Sequence, residues 1–171
     1  MRVDLGMDQG QIATFSLVSN IASAIGCVLG GLISDRIGHR KAAAMWFALT
    51  IPPNLYIASQ LTGDGVEGLS LMAYTVAGIF ASFANGLQYG TINAVFMGLT
   101  NRAVAGTQFT GYMALSNLAN TYSSAWQGTM AGSSGYGRTL QLDGLIAIVP
   151  ILLLVFVAPR RGAEEGESTA A

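Results

Sequence analysis

Apolar residues run along this chain in long blocks, and the charged positions fall between them. No Asp, Glu, Lys or Arg occurs in 9–34, 42–63, 68–101, 103–137 or 144–159. A bilayer-crossing helix needs ~20 largely apolar residues. Four of the blocks exceed that length and the fifth approaches it. The pattern predicts five helices, over 9–34, 40–61, 69–100, 106–132 and 140–158, with the second broken or bent at Pro52-Pro53. A proline pair inside such a helix frees carbonyls that neighbouring helices must satisfy. The segment 1–8 precedes the first span, and 159–171, which is small and acidic, reads as a disordered tail.

Composition sharpens this picture. Charged residues make up 10% of the 171, against 51% hydrophobic, with a mean hydropathy of +0.49. Soluble domains carry about 25% charge, so an ordinary soluble domain, a basic nucleic-acid binder and a disordered chain are all excluded. The fold class expected is an all-α, polytopic transmembrane helix bundle. Cys27 is the single cysteine and sits in an apolar run, where it reads as packing. The N-terminus has no apolar core after Arg2 and gives no signal peptide.

Basic residues set the orientation, because they are retained on the cytoplasmic side. Arg36, Arg40 and Lys41 follow the first span, Arg102 the third, and Arg160 and Arg161 the fifth; the opposite ends carry Arg2 and Arg138. The N-terminus is therefore expected outside and the C-terminus in the cytoplasm. Five spans in that orientation read as the remainder of a larger protein.

At the cytoplasmic end of the first span the sequence is Gly31-Leu-Ile-Ser-Asp35-Arg36-Ile-Gly38-His39-Arg40-Lys41. It resembles the signature loop of the major facilitator superfamily, G-x-x-x-D-R-x-G-R-R/K, at Gly31, Asp35, Arg36, Gly38, Arg40 and Lys41, with His39 where Arg is common. The chemistry fits independently. Gly38 can take the positive φ of a two-helix turn, and Asp35 opposes the helix dipole at a C-terminus, so it needs a compensating partner. The resemblance implies that this partner is a helix N-terminus in the other half of the transporter, and that the contact is a conformational gate.

A second stretch, Ala105-Gly-Thr-Gln-Phe-Thr-Gly-Tyr-Met-Ala-Leu-Ser-Asn117-Leu118, resembles the opening of the eleventh helix in AmpG-like muropeptide permeases and the peptide and acetyl-coenzyme A transporter family. Gly106 splits its Ala-Thr pair, and Gly111-Tyr112 replaces the usual aliphatic pair. Together the resemblances imply helices 8 to 12 of a twelve-helix transporter, with helices 1 to 7 absent, in a bacterial inner membrane. They imply alternating-access transport of a small polar solute such as a peptide or muropeptide.

Transporter sites lie near the bilayer midplane. The midpoints of the first, third and fourth spans fall near Asn20, near Asn85 with Gln88, and near Asn117 with Asn120. Asn85, Tyr89 and Asn93 continue one stripe at i, i+4, i+8, and Asn117, Asn120, Ser124 and Gln127 another. The candidate cavity residues are thus Asn20, Asn85, Gln88, Tyr89, Asn117 and Asn120. Such amides mark a cavity or bond across helices as glue. Asn54 is an exception in a span expected to be peripheral, and the fifth span, apolar on every side from Ile151, is expected to face lipid.

The interior of the first four spans holds no ionisable group. Asp143 in the fifth reads as an interfacial N-terminal charge, which would leave any co-transported proton to residues outside this chain. The glycine ladders Gly26-Gly30, Gly78-Ser82-Gly86-Gly90 and Gly128-Gly132 read as close packing. No catalytic residue, metal site, cofactor or nucleic-acid partner is expected. The alternative to transport is a five-helix structural or assembly subunit.

Overall fold

The structure, a computed structural model, describes residues 2–61, 66 and 68–154. Every regular element among them is helical: α1 (Gln9–Ile37), α2 (His39–Gln60), α3 (Leu71–Leu99), a 3-10 turn (Arg102–Val104), α4 (Ala105–Ile146) and α5 (Ile148–Leu153). Two stretches, Gln9–Ile37 and Ala105–Leu153, are long and apolar enough to cross a membrane. That is fewer than the five expected spans. The physical reason lies in the other helices, since α2 opens on His39-Arg40-Lys41 and holds a proline pair, and α3 carries Asn85, Gln88 and Asn93.

Local chemistry sets the helix ends. Asp8 caps α1 in a reciprocal capping box with Gln11, and Ser70 caps α3 by accepting from the Ala73 amide. The loop expected over 35–39 collapses to one residue. Gly38, at φ 90, ends α1 and starts α2, its N–H donating to the Ser34 carbonyl. Of the break or bend expected at Pro52-Pro53, no break occurs, and α2 runs through both prolines.

Gly135 divides α4. Its φ of 80 and ψ of 164 are non-helical, and the chain folds back there. Gln127 Nε2 donates to Asp143 Oδ1 at 2.7 Å, although sixteen residues of straight helix would span ~24 Å. The two arms, 105–134 and 136–146, are therefore antiparallel neighbours. The expected boundary between fourth and fifth helices, at 133–139, narrows to this single glycine. Pro150 cannot donate to the Ile146 carbonyl and crowds it, which accounts for the short interruption at Ala147 between α4 and α5.

The helices run alternately up and down. Trp46 meets Thr91 while Ile57 packs with Ala77, so α2 and α3 are antiparallel. Phe96 stacks on Tyr112, with ring centroids 5.2 Å apart, and α3 and the first arm of α4 run from there in opposite directions. The closest pair is α1 with α3, which are parallel. At Gly26 and Gly30 a Cβ would lie 2.3 Å from the Phe83 carbonyl oxygen and 2.2 Å from that of Leu87. At Gly86 and Gly90 it would lie 2.1 Å from the Ser23 and Cys27 carbonyl oxygens. Backbone thus touches backbone from both sides, as small-residue ladders permit. Gly128 and Gly132 instead face nothing within 4 Å. Their expected packing role is not fulfilled within the described residues.

A buried relay ties this pair to α2: Trp46 Nε1 donates to Thr91 Oγ1 at 3.0 Å, and Thr91 Oγ1 donates to the Gly30 carbonyl at 3.1 Å. Ala42, Trp46 and Leu87 form the surrounding apolar core, and Ile57, Leu69 and Ala77 form a second cluster nearer the other end. The N-terminal segment folds back onto the bundle. The Arg2 guanidinium lies over the Phe15 ring at 4.7 Å and donates to Ser16 and Tyr74.

Candidate functional site

Between α3 and the first arm of α4 lies a cavity of about 440 Å³, lined by Asn85, Gln88, Tyr89, Ile92, Asn93, Ser116, Ala119 and Asn120. The helical repeat places Asn85, Tyr89 and Asn93 on one face of α3, and Ser116 and Asn120 stand opposite on α4. Phe96 stacked on Tyr112 closes the end nearer the α3–α4 turn. Among the described residues, none of the side-chain amides of Asn85, Gln88, Asn93 and Asn120 is hydrogen-bonded. Helix-to-helix glue requires such bonds and they are not made. The amides are presented to the cavity with both donor and acceptor atoms available.

Of the six residues singled out from the sequence, the cavity gathers Asn85, Gln88, Tyr89 and Asn120. Asn20 on α1 and Asn117 on α4 are exposed and lie outside it. The lining face of α4 is centred on Ser116, Ala119 and Asn120, and Asn117, one position beyond Ser116, is turned about 100° from it. Asn93 belongs to the stripe read from the sequence, whereas Ser116 was missed because it is one of five serines on α4 and nothing in the sequence sets it apart. A larger groove of about 640 Å³ lies beside Pro52, Pro53, Met72, Val76 and Phe80. Its lining is apolar apart from Tyr56 and Ser70, and Ser70 is spent capping α3. Size therefore does not pick the site; polarity does.

Asp35, Arg36, Arg40 and Lys41 flank the one-residue α1–α2 connection, Gly38, and Gly31 lies two turns before it on α1. His39 Nδ1 is 3.1 Å from the buried Ser34 Oγ, which donates to the Gly31 carbonyl. His39 Nε2 is 3.9 Å from Asp35 Oδ1, and the Asp35 side chain is 67% exposed. Its carboxylate points out of the turn and is open to a partner beyond the described residues.

A third polar group was not assembled from the sequence. Asp143 accepts from Asn54 Nδ2 at 3.0 Å on Oδ2 and from Gln127 Nε2 at 2.7 Å on Oδ1, and the same Gln127 nitrogen lies 3.3 Å from Ser123 Oγ. Asp143 is eight residues beyond Gly135, two turns into its arm, where one turn was expected. Asn54 is explained by this contact. Both side chains were noticed separately, but only the reversal at Gly135 brings them together.

Trp126 is half-buried and Tyr122 is 74% exposed. Leu152 and Leu153 of α5 are exposed, while 155–158 and the tail lie outside the described residues. No group of His, Cys, Asp or Glu able to hold a metal occurs among the described residues.

No protein-family model matches the chain, and neither a curated protein nor a solved structure matches it.

Proposed function

We propose that the chain is the C-terminal part of a secondary transporter of the major facilitator type, which moves a small polar solute by alternating access through the α3–α4 cavity. The observation that carries this reading is the set of amides at Asn85, Gln88, Asn93 and Asn120, which line one cavity and bond to no described residue. Amides in an apolar bundle are costly unless paired or hydrated. A polar solute passing between the helices pairs them.

Two further features support it. The chain alternates through five antiparallel helical segments once Gly135 is counted as a turn, which fits five membrane crossings. The motif Gly31 to Lys41 forms a tight turn that leaves the Asp35 carboxylate outward, where a second helical half would meet it. On this reading the turn is cytoplasmic, the N-terminus is outside, the missing partner is the rest of the transporter, and the membrane is the bacterial inner membrane.

The test is uptake of labelled dipeptides, amino sugars and muropeptide fragments by the full-length protein and by its Asn85→Ala, Gln88→Ala and Asn120→Ala variants. Each loses up to two hydrogen bonds to the solute, which at ~1 kcal/mol apiece raises KM by roughly five- to thirtyfold. Asn117→Ala is the control and leaves KM unchanged. Unaltered kinetics in all three cavity variants sink the reading. A stable protein that takes up nothing favours the assembly subunit.

A further inference from the structure

Asp143 is a carboxylate in the body of the bundle, and its only hydrogen-bond partners among the described residues are two carboxamides. It lies level with Asn54, six residues before the end of α2 at Gln60, which is ~9 Å along the helix axis. Gly144 beside it packs against Leu55, and the neighbouring α5, Ile148–Leu153, contains no ionisable group.

The charged and titratable groups of the surrounding elements are directed elsewhere. His39, Arg40 and Lys41 sit at the opposite end of α2, at least thirteen residues from Asn54, or ~20 Å. Arg138 is exposed and precedes Asp143 by five residues, which places it on a different face of the arm. Tyr136, two turns away, donates to Asp4, and Arg2 is engaged with Phe15, Ser16 and Tyr74. Tyr56 on α2 is exposed, and the α3 tyrosines Tyr74 and Tyr89 are placed at Arg2 and in the α3–α4 cavity.

We propose that Asp143, Asn54 and Gln127 form a reversible proton-binding site. The identity of the partners decides this. An Arg or Lys in place of either amide would lock the carboxylate in its charged form, because a cation offers only donors. A carboxamide offers both. With Asp143 ionised, Asn54 and Gln127 each donate an N–H to it. When a proton binds one carboxylate oxygen, the neutral acid gains an O–H donor that needs an acceptor. A half-turn of either carboxamide about its terminal bond replaces its N–H with its C=O, and the site stays satisfied in both states. The carboxamide that turns exchanges its N–H bond to the carboxylate for an O–H bond from the acid, and if it is Gln127 it also gives up its contact with Ser123.

The site also spans the reversal at Gly135. Its two α4 members lie on opposite arms of the reversal at Gly135, and the third is on α2. Changing the charge therefore changes the bonds that hold the arms to each other and to α2. An ionisable group at this depth is a natural carrier of coupling. The site rests on the packing of α2 against α4 and not on the α3–α4 cavity, so it stands or falls separately from solute uptake.

The experiment is infrared difference spectroscopy of the full chain in lipid nanodiscs, between high and low pH, with isotope-labelled aspartate carboxyls. The expected result is a protonated-carboxyl C=O band that grows at low pH together with a shift in side-chain amide C=O absorption, both lost in Asp143→Asn. The other aspartates are common to both proteins and cancel in the comparison. Should Asp143→Asn fold poorly, Asn54→Ala keeps the carboxyl and is expected to move its band, since one of two partners is gone. Identical spectra in wild type and variants overturn the proposal, as does a carboxyl band with no amide response. Replacing choline by sodium is expected to change nothing, and a sodium-dependent loss of the band also overturns it.

Discussion

The parallel contact of α1 with α3 can be tested at single glycines. In Gly30→Ala the new Cβ would stand 2.2 Å from the Leu87 carbonyl oxygen and 2.6 Å from its Cα, where ordinary contact is 3.4 Å or more. Neither atom belongs to a side chain that can turn aside, so the helices must separate locally by about 1.2 Å, the difference between 3.4 and 2.2. Separation of that size takes the Thr91 Oγ1 to Gly30 carbonyl bond from 3.1 Å to beyond hydrogen-bonding range. Stranding a buried hydroxyl costs ~1–3 kcal/mol, and overpacking strain adds ~1–3 kcal/mol. Alanine's better helix propensity returns at most ~1 kcal/mol. The expected loss is therefore ~1–5 kcal/mol, and in a bilayer little else compensates, since packing rather than hydrophobicity holds membrane helices together. Reversible unfolding of the purified protein in mixed micelles reads this directly. Gly31→Ala, one residue along, is the internal control: its Cβ meets nothing within 4 Å, so stability should be unchanged or slightly raised. A Gly30→Ala protein within ~0.5 kcal/mol of wild type, an effect no larger than an indifferent surface change, would refute the close approach of α1 and α3.

Other consequences are open to the same assay. Trp46→Phe removes the N–H that Thr91 accepts and part of the indole volume packed in the core with Ala42 and Leu87, at an expected ~1–3 kcal/mol. Gly38→Ala forces a side chain into φ 90 at a one-residue turn and should cost ~1–2 kcal/mol, whereas Gly106→Ala, in open helix, should not destabilise. Asn54→Leu leaves Asp143 with a single amide donor and should cost ~1–3 kcal/mol, with Asn54→Gln recovering part of it. Gly135→Ala is expected to be the most damaging change in α4, because φ 80 is required where the arms reverse; cysteines placed at 127 and 143 should cross-link in wild-type background and lose that cross-link with Gly135→Ala.

Periodicity and composition settled the helical character of the chain, the positions of α1, α2 and α3 to within a few residues, and the polar stripe Asn85, Tyr89, Asn93. These are local properties: apolar runs, caps such as Asp8 and Ser70, and the 3.6-residue repeat act within one element. The glycine ladder on α1 and α3 was legible as well, since small residues at i, i+4 have little other use in an apolar helix. What the ladder touches was not legible. Gly128 and Gly132 show the same spacing and meet nothing, while Gly26, Gly30, Gly86 and Gly90 lie backbone to backbone.

Only the tertiary structure decided which amides share a space. Asn85, Gln88 and Asn120 converge on one cavity, and Asn20 and Asn117, at the same depth along their helices, do not, because depth fixes height in a bundle but rotation fixes the face. The larger correction is at Gly135. A seven-residue polar stretch read as a loop is helix on both sides of one glycine, and that single φ turns Asp143 back toward Gln127 and Asn54. Sequence spacing measures distance along the chain, so a site built from residues 54, 127 and 143 has no signature in it. The residue types were present from the start; their convergence depended on how the helices fold against one another.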